Sequence, residues 1–466
     1  MNGQSLVTVY ILTYNFEKYL ERSIRSVLRQ AFKDWELIII NDGSTDGTDR
    51  IISKYENNPK VTIVRQKNKG LTTSSNIALR LSRGKYIMRL DGDDYLDENA
   101  LLVMVSYMEE NPDVGLVYPD YYLIDEHGEI LSLERRKKLG SEAKLLDLPA
   151  HGACTIFRKN LLLEHGGYNE EVSCQDCYDI WIKFIHHHKV SNINLPLFFY
   201  RQHGHNITRD KKKILDARRL ILNRQAEIKR NIQKNKNIKR IAIIPIRAHT
   251  DFEYRLALRK IHGKAVIDYT IDEALEAKCF DKVIVCSEDD AILEHVKAHY
   301  PQVATVRRPL KLSYRNVLLE KTINFVFKAL YLNRRVYQEI MILYIESILK
   351  RKEHILKAID TLRVFDTDSV VSLVETNNMY YMHGKHGMER IGNTESFRLE
   401  RKNIYEGNGA MLLIKTKNLK GKTLEGQRRG HIIMLREESV RIMTPLDHEI
   451  AEMLLEKRKK ENAGKI

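Results

Sequence analysis

The sequence predicts an α/β fold made of two α/β domains in tandem. Short apolar runs of β-strand composition alternate with helical patterns over residues 6–65, as in a doubly wound sheet. The alternation begins again at residue 241, after a stretch rich in Lys and Arg. A chain of 466 residues is also too long for one ordinary hydrophobic core. We therefore expect a first domain over 1–208, a basic helical linker over 209–236 and a second domain over 237–466.

Each predicted element follows from the spacing of its apolar residues, because strands and helices repeat with different periods. The first predicted elements are strands at 6–12, 35–40 and 61–65 with helices at 20–30 and 46–55; after the linker come strands at 241–245 and 282–286 around a helix at 266–277. The two halves are not a sequence repeat, since their motifs differ.

Composition narrows the class of protein. Hydrophobic content of 43% and charged content of 30% are those of a soluble globular protein, and no apolar run is long enough to span a bilayer. The first apolar segment lacks the flanks of a signal peptide. The five cysteines are few, odd in number and scattered, and the CxxC at Cys174 and Cys177 has no redox or zinc context. A reduced, cytoplasmic location is expected.

The net charge of +15 is concentrated visibly in the linker and in the C-terminal tail. Apolar residues at 214, 215 and 220–222 make the linker a basic amphipathic helix. Packing of its apolar stripe on the protein is favoured over peripheral contact with the inner membrane face, which stays an alternative. Nucleic acid is not expected, because no recognised binding module accompanies the charge.

Two acidic motifs follow predicted strands. Asp42 lies in an NDGS motif at 41–44, and Asp91 and Asp93 lie in a DGDD motif at 91–94. Ligands of parallel α/β sheets bind at the carboxyl ends of strands, and glycines there let a ligand approach the backbone. Clustered carboxylates suit Mg²⁺ or Mn²⁺, which would hold a diphosphate. Together the motifs predict a nucleotide-sugar site.

These motifs, in this order, resemble the family 2 glycosyltransferases, inverting enzymes of the GT-A fold, over residues 6–208. The resemblance implies that Thr13 and Tyr14 line the nucleobase pocket and that Asp42 accepts a hydrogen bond from the base. Asn15 is a further candidate residue for binding the donor nucleotide. The resemblance also implies an NDP-sugar donor, with UDP-sugar preferred, and a glycan acceptor.

The same resemblance implies that Asp91 and Asp93 form the metal site, with Asp93 as the direct ligand of Mn²⁺ or Mg²⁺. The small-residue turn at 70–76 is similar to the family's turn before a helix, where backbone amides face the donor. An inverting transfer needs a base, which the family takes from an acidic motif before a Trp-containing helix. Asp176 fits that position best and Asp179 is its rival, with helix capping as a further role for Asp179.

The segment at 200–206 resembles the loop that closes the family's domain and reaches the diphosphate. Arg201 and His203 are therefore candidate donor-binding residues. The histidines at 186–188 follow a helix and are interpreted as its solvated end, not as a metal tract.

Residues 240–456 resemble the cytidylyltransferases that make CMP-activated keto sugars. The matching motifs are IPIR at 244–247, HGK at 262–264, GNGA at 407–410 and TPLD at 444–447. The departures are an acidic, bulky loop at 248–251 where glycines would cradle a triphosphate, and Arg441 and Met443 where the family has magnesium-binding aspartates. A Rossmann-like nucleotidyltransferase fold that has lost cytidylyl transfer is expected, with a homodimer through this domain.

The sequence thus predicts a metal-dependent, inverting glycosyltransferase for a surface polysaccharide or glycoconjugate, fused to a degenerate cytidylyltransferase-like domain. Two alternatives stay open. The protein could be bifunctional and also make a CMP-keto-sugar, or it could be a non-catalytic scaffold. The intact Asp91, Asp93 and Asp176 argue against the scaffold.

Overall fold

The structure is a computed structural model that describes residues 5–137, 152–172, 174–204, 210–232, 238–247, 256–314, 316–376, 378, 380–384, 387–391, 404–420 and 423–463. The chain divides into two compact units. The first comprises Met1–Ile221 and Tyr380–Lys402, and the second comprises Leu222–Met379 and Asn403–Ile466.

The secondary structure alternates as expected along the chain. The elements up to the boundary are β1 (Val7–Thr13), α1 (Leu20–Leu28), β2 (Trp35–Asn41), α2 (Thr48–Ser53), β3 (Val61–Arg65), α3 (Leu71–Leu81), β4 (Tyr86–Asp91), β5 (Tyr95–Leu96), α4 (Ala100–Glu110), β6 (Val114–Ile124), β7 (Ile130–Glu134), β8 (Ile156–Arg158), α5 (Lys159–Glu164), α6 (Asp176–His187), β9 (Lys189–Arg201) and α7 (Lys211–Ile232). They are followed by β10 (Lys239–Pro245), β11 (Lys260–Ile261), β12 (Lys264–Ala265), α8 (Val266–Glu276), β13 (Lys282–Ser287), α9 (Asp290–His299), β14 (Ala304–Arg307), α10 (Leu319–Ala329), β15 (Tyr337–Leu343), α11 (Lys352–Val364), β16 (Ser369–Thr376), β17 (Tyr381–Gly384), β18 (Gly387–Arg390), β19 (Ile404–Lys415), β20 (Arg429–Ile433) and α12 (Pro445–Ala463).

The first unit is built on a mixed sheet. Its strand order, over the described residues, is β3-β2-β1-β4-β8-β6-β9-β5, with β7 paired to β6. β1 runs parallel to both β2 and β4, and every residue of β1 and β2 is buried, as expected for strands covered on both faces. α1 packs Leu20, Ile24 and Val27 into the core on one face.

The second unit contains a separate sheet with the order β14-β13-β10-β15-β19-β16-β20 among the described strands. β10 is parallel to β13 and β15, whereas β19 is antiparallel to its neighbours β15 and β16. Alternate residues of β10 enter two different cores: Ala242 and Ile244 lie on one face, and Ile241 and Ile243 lie on the other. The predicted fold class, two α/β units in tandem, is confirmed.

The basic segment of the predicted linker is helical as α7. Ile221, Leu222 and Ala226 are buried, whereas Leu220 is 51% exposed, so one stripe of the helix is covered. No helix in the described ranges has an apolar stretch that could cross a membrane.

Candidate active site

The candidate site lies where the parallel strands of the first sheet end. The register of β1 aligns Thr13 with Asn41 on β2 and Leu12 with Asp91 on β4. The DGDD motif and the predicted nucleobase residues therefore share one edge of the sheet. Space at Gly92 is tight, because a Cβ there would lie 3.1 Å from the Leu12 carbonyl oxygen.

Three carboxylates follow one another within the DGDD motif. Burial raises the pKa of Asp91 to about 6; Arg89 opposes this shift, and the charges of Asp93 and Asp176 add to it. Burial and the neighbouring charges of Asp93 and Asp91 hold the pKa of Asp94 well above its usual range. The motif thus gathers more negative charge than its surroundings neutralise, which favours binding of a cation.

Asp94 is a site residue that the sequence analysis did not single out. Its Oδ1 accepts a hydrogen bond from the backbone N–H of Arg201 at 2.8 Å. Its Oδ2 is buried and has no hydrogen-bond partner in the described part of the chain. Asp94 therefore links the acidic motif to the end of β9. In the sequence, its position next to Asp93 was the available signal for a role in the site.

Arg89 connects the acidic motif to α6. Its Nε lies 3.0 Å from Asp91 Oδ1, and its Nη1 donates to Asp176 Oδ2 at 2.6 Å. The Arg89 side chain is only 7% exposed, so both ion pairs are largely shielded from water. Gly152 makes room for it, since a Cβ there would lie 2.2 Å from Nη2. Sequence analysis missed Arg89, although a cation inside a buried strand was the available signal.

Asp176 and Asp179 both lie in the first turn of α6 and are almost fully buried. Gln175 precedes them in the left-handed region, with φ of 62°, and this turns the chain into the helix. Asp176 faces Arg89, whereas Asp179 Oδ2 lies 2.8 Å from Lys183 Nζ one turn further along. The two candidate bases therefore have different cations as partners.

A small pocket opens beside Asp176. Its walls include Arg89, Thr155, Cys177 and Trp181. Burial raises the pKa of Cys177 to about 12, so this cysteine is a neutral thiol at physiological pH. Of the polar groups that line the pocket, Asp176 is the one suited to accept a proton.

His203 contacts the predicted metal ligand. Its Nε2 lies 2.8 Å from Asp93 Oδ2, and its ring stacks on Tyr19 with centroids 5.5 Å apart. Arg201 Nε donates to the carbonyl oxygen of Asp93 at 3.0 Å, and Nη1 donates to that of Asp125 at 2.9 Å. Arg201 thus holds the main chain of the acidic motif. A contact of Arg201 or His203 with a diphosphate stays a prediction.

Asp42 is bound by the loop that precedes α3. Its Oδ1 accepts hydrogen bonds from Gln66 Nε2 at 2.7 Å and from the backbone N–H of Lys69 at 2.8 Å. Its Oδ2 accepts one from the backbone N–H of Gly70 at 2.9 Å. Asp42 thereby shapes this turn, and its bond to a base stays a prediction.

The residues at 13–15, which were predicted to bind the donor nucleotide, differ in exposure. Thr13 Oγ1 is buried without a hydrogen-bond partner among the described residues, whereas Tyr14 is 47% exposed. Asn15 has φ of 59°, and its Oδ1 accepts a hydrogen bond from the backbone N–H of Thr45 at 2.8 Å. Tyr14 is therefore free to contact a ligand, while Asn15 joins two loops.

The acidic motif suits a hard divalent cation. Asp91 and Asp93 supply oxygen donors, and a bound cation would favour the ionised form of Asp91, whose pKa is raised mainly by burial. In the described ranges no three His, Cys, Asp or Glu side chains are arranged to hold a metal by themselves.

The matching edge of the second unit has a basic residue, Arg441, among its described residues. Arg441 lies against the turn at Gly409, where a Cβ would be 2.9 Å from its Nε. Burial raises the pKa of Tyr344 to about 12, and nearby Arg247 and Arg441 oppose that shift. Asp447 Oδ2 accepts a hydrogen bond from the backbone N–H of Thr444 at 2.7 Å, and Thr444 Oγ1 accepts one from the backbone N–H of Asp447 at 3.2 Å, which is a capping box at the start of α12. The expected departure at 248–251 lies outside the described residues.

Two family models match the chain. Residues 8–166 match glycosyl transferase family 2, and residues 241–458 match cytidylyltransferase. A Haemophilus influenzae protein described as an uncharacterized glycosyltransferase is 31% identical over 219 residues, 44% of this chain and 68% of that protein. The chain therefore belongs to glycosyltransferase family 2 and carries a cytidylyltransferase domain after the glycosyltransferase domain. The predicted pair of families is confirmed.

Other relatives are longer. Chondroitin synthase of Escherichia coli is 34% identical over 210 residues, 45% of this chain and 31% of that protein. Hyaluronan synthase of Pasteurella multocida is 30% identical over 207 residues, 44% of this chain and 21% of that protein. The chain spans less than a third of the length of these synthases. The solved structure of S. aureus TarS 1–349 in complex with UDP-GlcNAc aligns with a TM-score of 0.41 and 16% identity, over 71% of this chain and 82% of that one.

Proposed function

We propose that the first unit is a metal-dependent, inverting glycosyltransferase that moves a sugar from an NDP-sugar, preferably a UDP-sugar, to a glycan acceptor. The observation that carries this proposal is the convergence of Asp91, Asp93 and Asp176 at one edge of the sheet, with Arg89 ion-paired to Asp91 and Asp176. A turn needs no such set of buried carboxylates, and burying them has a cost in stability.

Asp91 and Asp93 are the residues that would hold Mn²⁺ or Mg²⁺. The ion would offset the charge of the departing nucleoside diphosphate. His203, 2.8 Å from Asp93, keeps that carboxylate in position until the donor arrives. The oxygens that complete the coordination would come from the diphosphate and water.

Asp176 is proposed as the base. Its carboxylate takes the proton of an acceptor hydroxyl as the hydroxyl oxygen bonds to the anomeric carbon of the sugar. The bond from that carbon to the diphosphate oxygen breaks on the opposite face, which inverts the configuration. Asp179 is the weaker candidate. Asp176 lines the pocket and pairs with the arginine that also contacts Asp91, whereas Asp179 pairs with Lys183 on its own helix.

The acceptor class is proposed from the relatives. Chondroitin synthase and hyaluronan synthase are named for polysaccharides, which supports a glycan acceptor in surface polysaccharide or glycoconjugate synthesis. Basic α7 could bring the chain to an anionic membrane surface, where such acceptors can be anchored.

The test is calorimetric titration of the full chain with UDP, GDP, dTDP, CMP and CTP, each with and without Mn²⁺, followed by transfer assays with the sugar donors of the nucleotide that binds. We expect one nucleoside diphosphate to bind in a Mn²⁺-dependent way. Binding that is equal with and without Mn²⁺ would contradict the metal role, and absence of transfer from every donor would contradict the activity.

For the second unit we propose a cytidylyltransferase fold without cytidylyl transfer, which serves to form a homodimer. Support comes from Arg441 at the turn of Gly409, a cation where the reaction needs carboxylates for magnesium. Activity in this unit would make the protein bifunctional instead.

A further inference from the structure

Arg89 lies between the two functional halves of the proposed site. Its Nε is 3.0 Å from Asp91, a proposed metal ligand, and its Nη1 is 2.6 Å from Asp176, the proposed base. Asp91 is the last residue of β4, whereas Asp176 begins α6, 87 residues after Arg89. One guanidinium thus joins two elements that meet only through the fold.

We propose that Arg89 is a positioning residue for catalysis, which fixes the Asp176 carboxylate in the orientation that accepts the proton of the acceptor. The inference rests on the proposed function and assigns a role to a residue outside the acidic motifs. Arg89 does not itself touch the reacting atoms. It acts through Asp176, whose side chain is only 3% exposed and would otherwise be a buried charge.

The surroundings of Arg89 hold the guanidinium in one place. Gly152 leaves no space for a Cβ, which would lie 2.2 Å from Nη2 and 2.9 Å from Cζ. The backbone N–H of Cys154 donates to the Arg89 carbonyl oxygen at 2.8 Å, so the segment that follows Gly152 is tied to β4. A planar guanidinium with fixed donors orients a carboxylate more strictly than an ammonium group can.

A competing explanation is that Arg89 acts through Asp91. In that case its removal would alter binding of the metal and donor and leave the chemical step alone. The two routes separate in a double-mutant cycle, because residues that act as a unit are strongly non-additive.

The experiment compares Arg89→Met, Arg89→Lys and Gly152→Ala with wild type, and measures kcat, donor KM and Mn²⁺ affinity. Gly152→Ala is informative because it displaces the guanidinium without changing its charge. We expect Arg89→Met to lower kcat by about 10²-fold, which lies within the rate contribution of about 10²- to 10⁴-fold that a positioned base makes. Donor KM should change by less than about threefold. Arg89→Lys should recover part of kcat, and Gly152→Ala should lower kcat.

The decisive arm repeats Arg89→Met in an Asp176→Asn background. In that background we expect Arg89→Met to lower kcat further by less than about threefold, because Arg89 would have no base left to position. If Arg89→Met lowers kcat as much in the Asp176→Asn background as it does in wild type, the proposal is overturned. It is also overturned if Arg89→Met changes only donor KM or Mn²⁺ affinity. The control is Arg158→Met, which removes another arginine of the same sheet, one that donates to the main-chain oxygen of Val114 at 2.7 Å. It should lower stability and leave kcat unchanged.

The two failures are distinguishable. If wild type transfers sugar but Asp176→Asn does not reduce kcat, the base assignment and the Arg89 role both fail while the glycosyltransferase activity stands. If wild type transfers no sugar from any donor, the proposed function fails too. If Arg89→Met does not fold, Arg89→Lys and Gly152→Ala decide the matter by the same criteria.

Discussion

Single carboxylates in the first unit have distinct environments, and these differences set their expected roles. Asp93 contacts His203, Asp176 contacts Arg89, and Asp179 contacts Lys183. A neutral amide at each position keeps the size of the side chain and removes its charge, so substitution by Asn tests each role separately.

Asp93→Asn should abolish metal-dependent donor binding and sugar transfer while the fold is retained, since an amide is a poor ligand for a hard divalent cation. The measurement is calorimetry with Mn²⁺ and donor, beside a transfer assay. Asp113→Asn, at a carboxylate that is 62% exposed and paired with Lys189, serves as the matched control. Near-normal transfer by Asp93→Asn in Mn²⁺ would show that the metal ligand is elsewhere.

Asp176→Asn should lower kcat by about 10²- to 10⁴-fold with little change in donor affinity, because a positioned base acts mainly in the chemical step. Asp179→Asn should have a smaller effect. Steady-state kinetics of both variants check this ranking. The opposite ranking would assign the base to Asp179.

Mn²⁺ affinity should fall as the pH drops below about 6. The pKa of Asp91 is raised to about 6 by burial, so below that pH a proton competes with the cation for the carboxylate, and above it the carboxylate is available. Titrations with Mn²⁺ at pH 5.5, 6.5 and 7.5 measure this. Asp91→Asn should bind Mn²⁺ more weakly, and its Mn²⁺ affinity should depend less on pH. A Mn²⁺ affinity of wild type that does not change with pH would rule out protonation of Asp91 as a competitor of the cation.

At the residue scale, sequence reasoning finds groups whose chemistry is unusual in sequence and misses those whose role depends on packing. The DGDD motif is visible because repeated carboxylates after an apolar strand are rare. Arg89 and Asp94 need tertiary information: Arg89 matters because α6 brings Asp176 to 2.6 Å, and Asp94 because β9 brings the N–H of Arg201 to it. No pattern in the local sequence around Arg89 or Asp94 predicts these two contacts.

At the scale of elements, the segment between β15 and α11 contains a buried amine. Lys350 is fully buried and lies 2.8 Å from Thr270 Oγ1, 2.7 Å from the Tyr344 carbonyl oxygen and 2.6 Å from that of Ser347. Burial lowers the pKa of Lys350 to about 7. Its Nζ donates a hydrogen bond to each of these three oxygens, none of which belongs to a carboxylate.

The second unit should therefore become more stable as the pH rises from about 7 towards 10. The unfolded chain keeps Lys350 protonated over this range while the folded chain does not, and stability rises wherever the unfolded state binds more protons. Urea unfolding between pH 7 and 9.5 should show a contribution of at most about 1.4 kcal/mol per pH unit.

Lys350→Met should remove the increase in the free energy of unfolding between pH 7 and 9.5 that is assigned to Lys350. Lys352→Met, at a lysine that is 41% exposed and paired with Glu276, should keep it. An identical pH dependence in wild type and Lys350→Met would show that other groups cause it.

The elements themselves were largely predictable. Buried parallel strands such as β1 and β10 are continuous apolar runs, which sequence analysis recognises. The helix predicted at 46–55 is shorter in the structure, as α2 begins at Thr48. Asp46 accounts for the difference, because its carboxylate accepts hydrogen bonds from the backbone N–H groups of Thr48 and Glu17, each at 3.0 Å, and so forms the turn before the helix.

On the scale of the whole molecule, we propose that the first unit is catalytic and the second is not. The first keeps each carboxylate that its proposed reaction requires. The second keeps residues that shape turns, such as Asp447 at the start of α12, and has Arg441 where a metal would need an acid. The full chain supplied with CTP, Mg²⁺ or Mn²⁺ and a panel of keto acids should release no pyrophosphate above an enzyme-free control. Release that depends on the keto acid would make the protein bifunctional.

The same chain should sediment as a homodimer, since assembly is the role proposed for the second unit. Sedimentation velocity over a range of concentrations measures this. A monomer at all concentrations would remove the assembly role.

The sequence separation of 87 between Arg89 and Asp176 has a consequence for synthesis on the ribosome. The chain emerges from its N-terminus, so the strands that end at the DGDD motif are complete well before α6 has been made. Until α6 is in place, a nascent chain would possess the carboxylates proposed to bind metal and donor but no base to use them. Catalytic competence would thus arrive late in translation, because a product truncated before residue 176 would lack the proposed base and also β9 with Arg201 and His203.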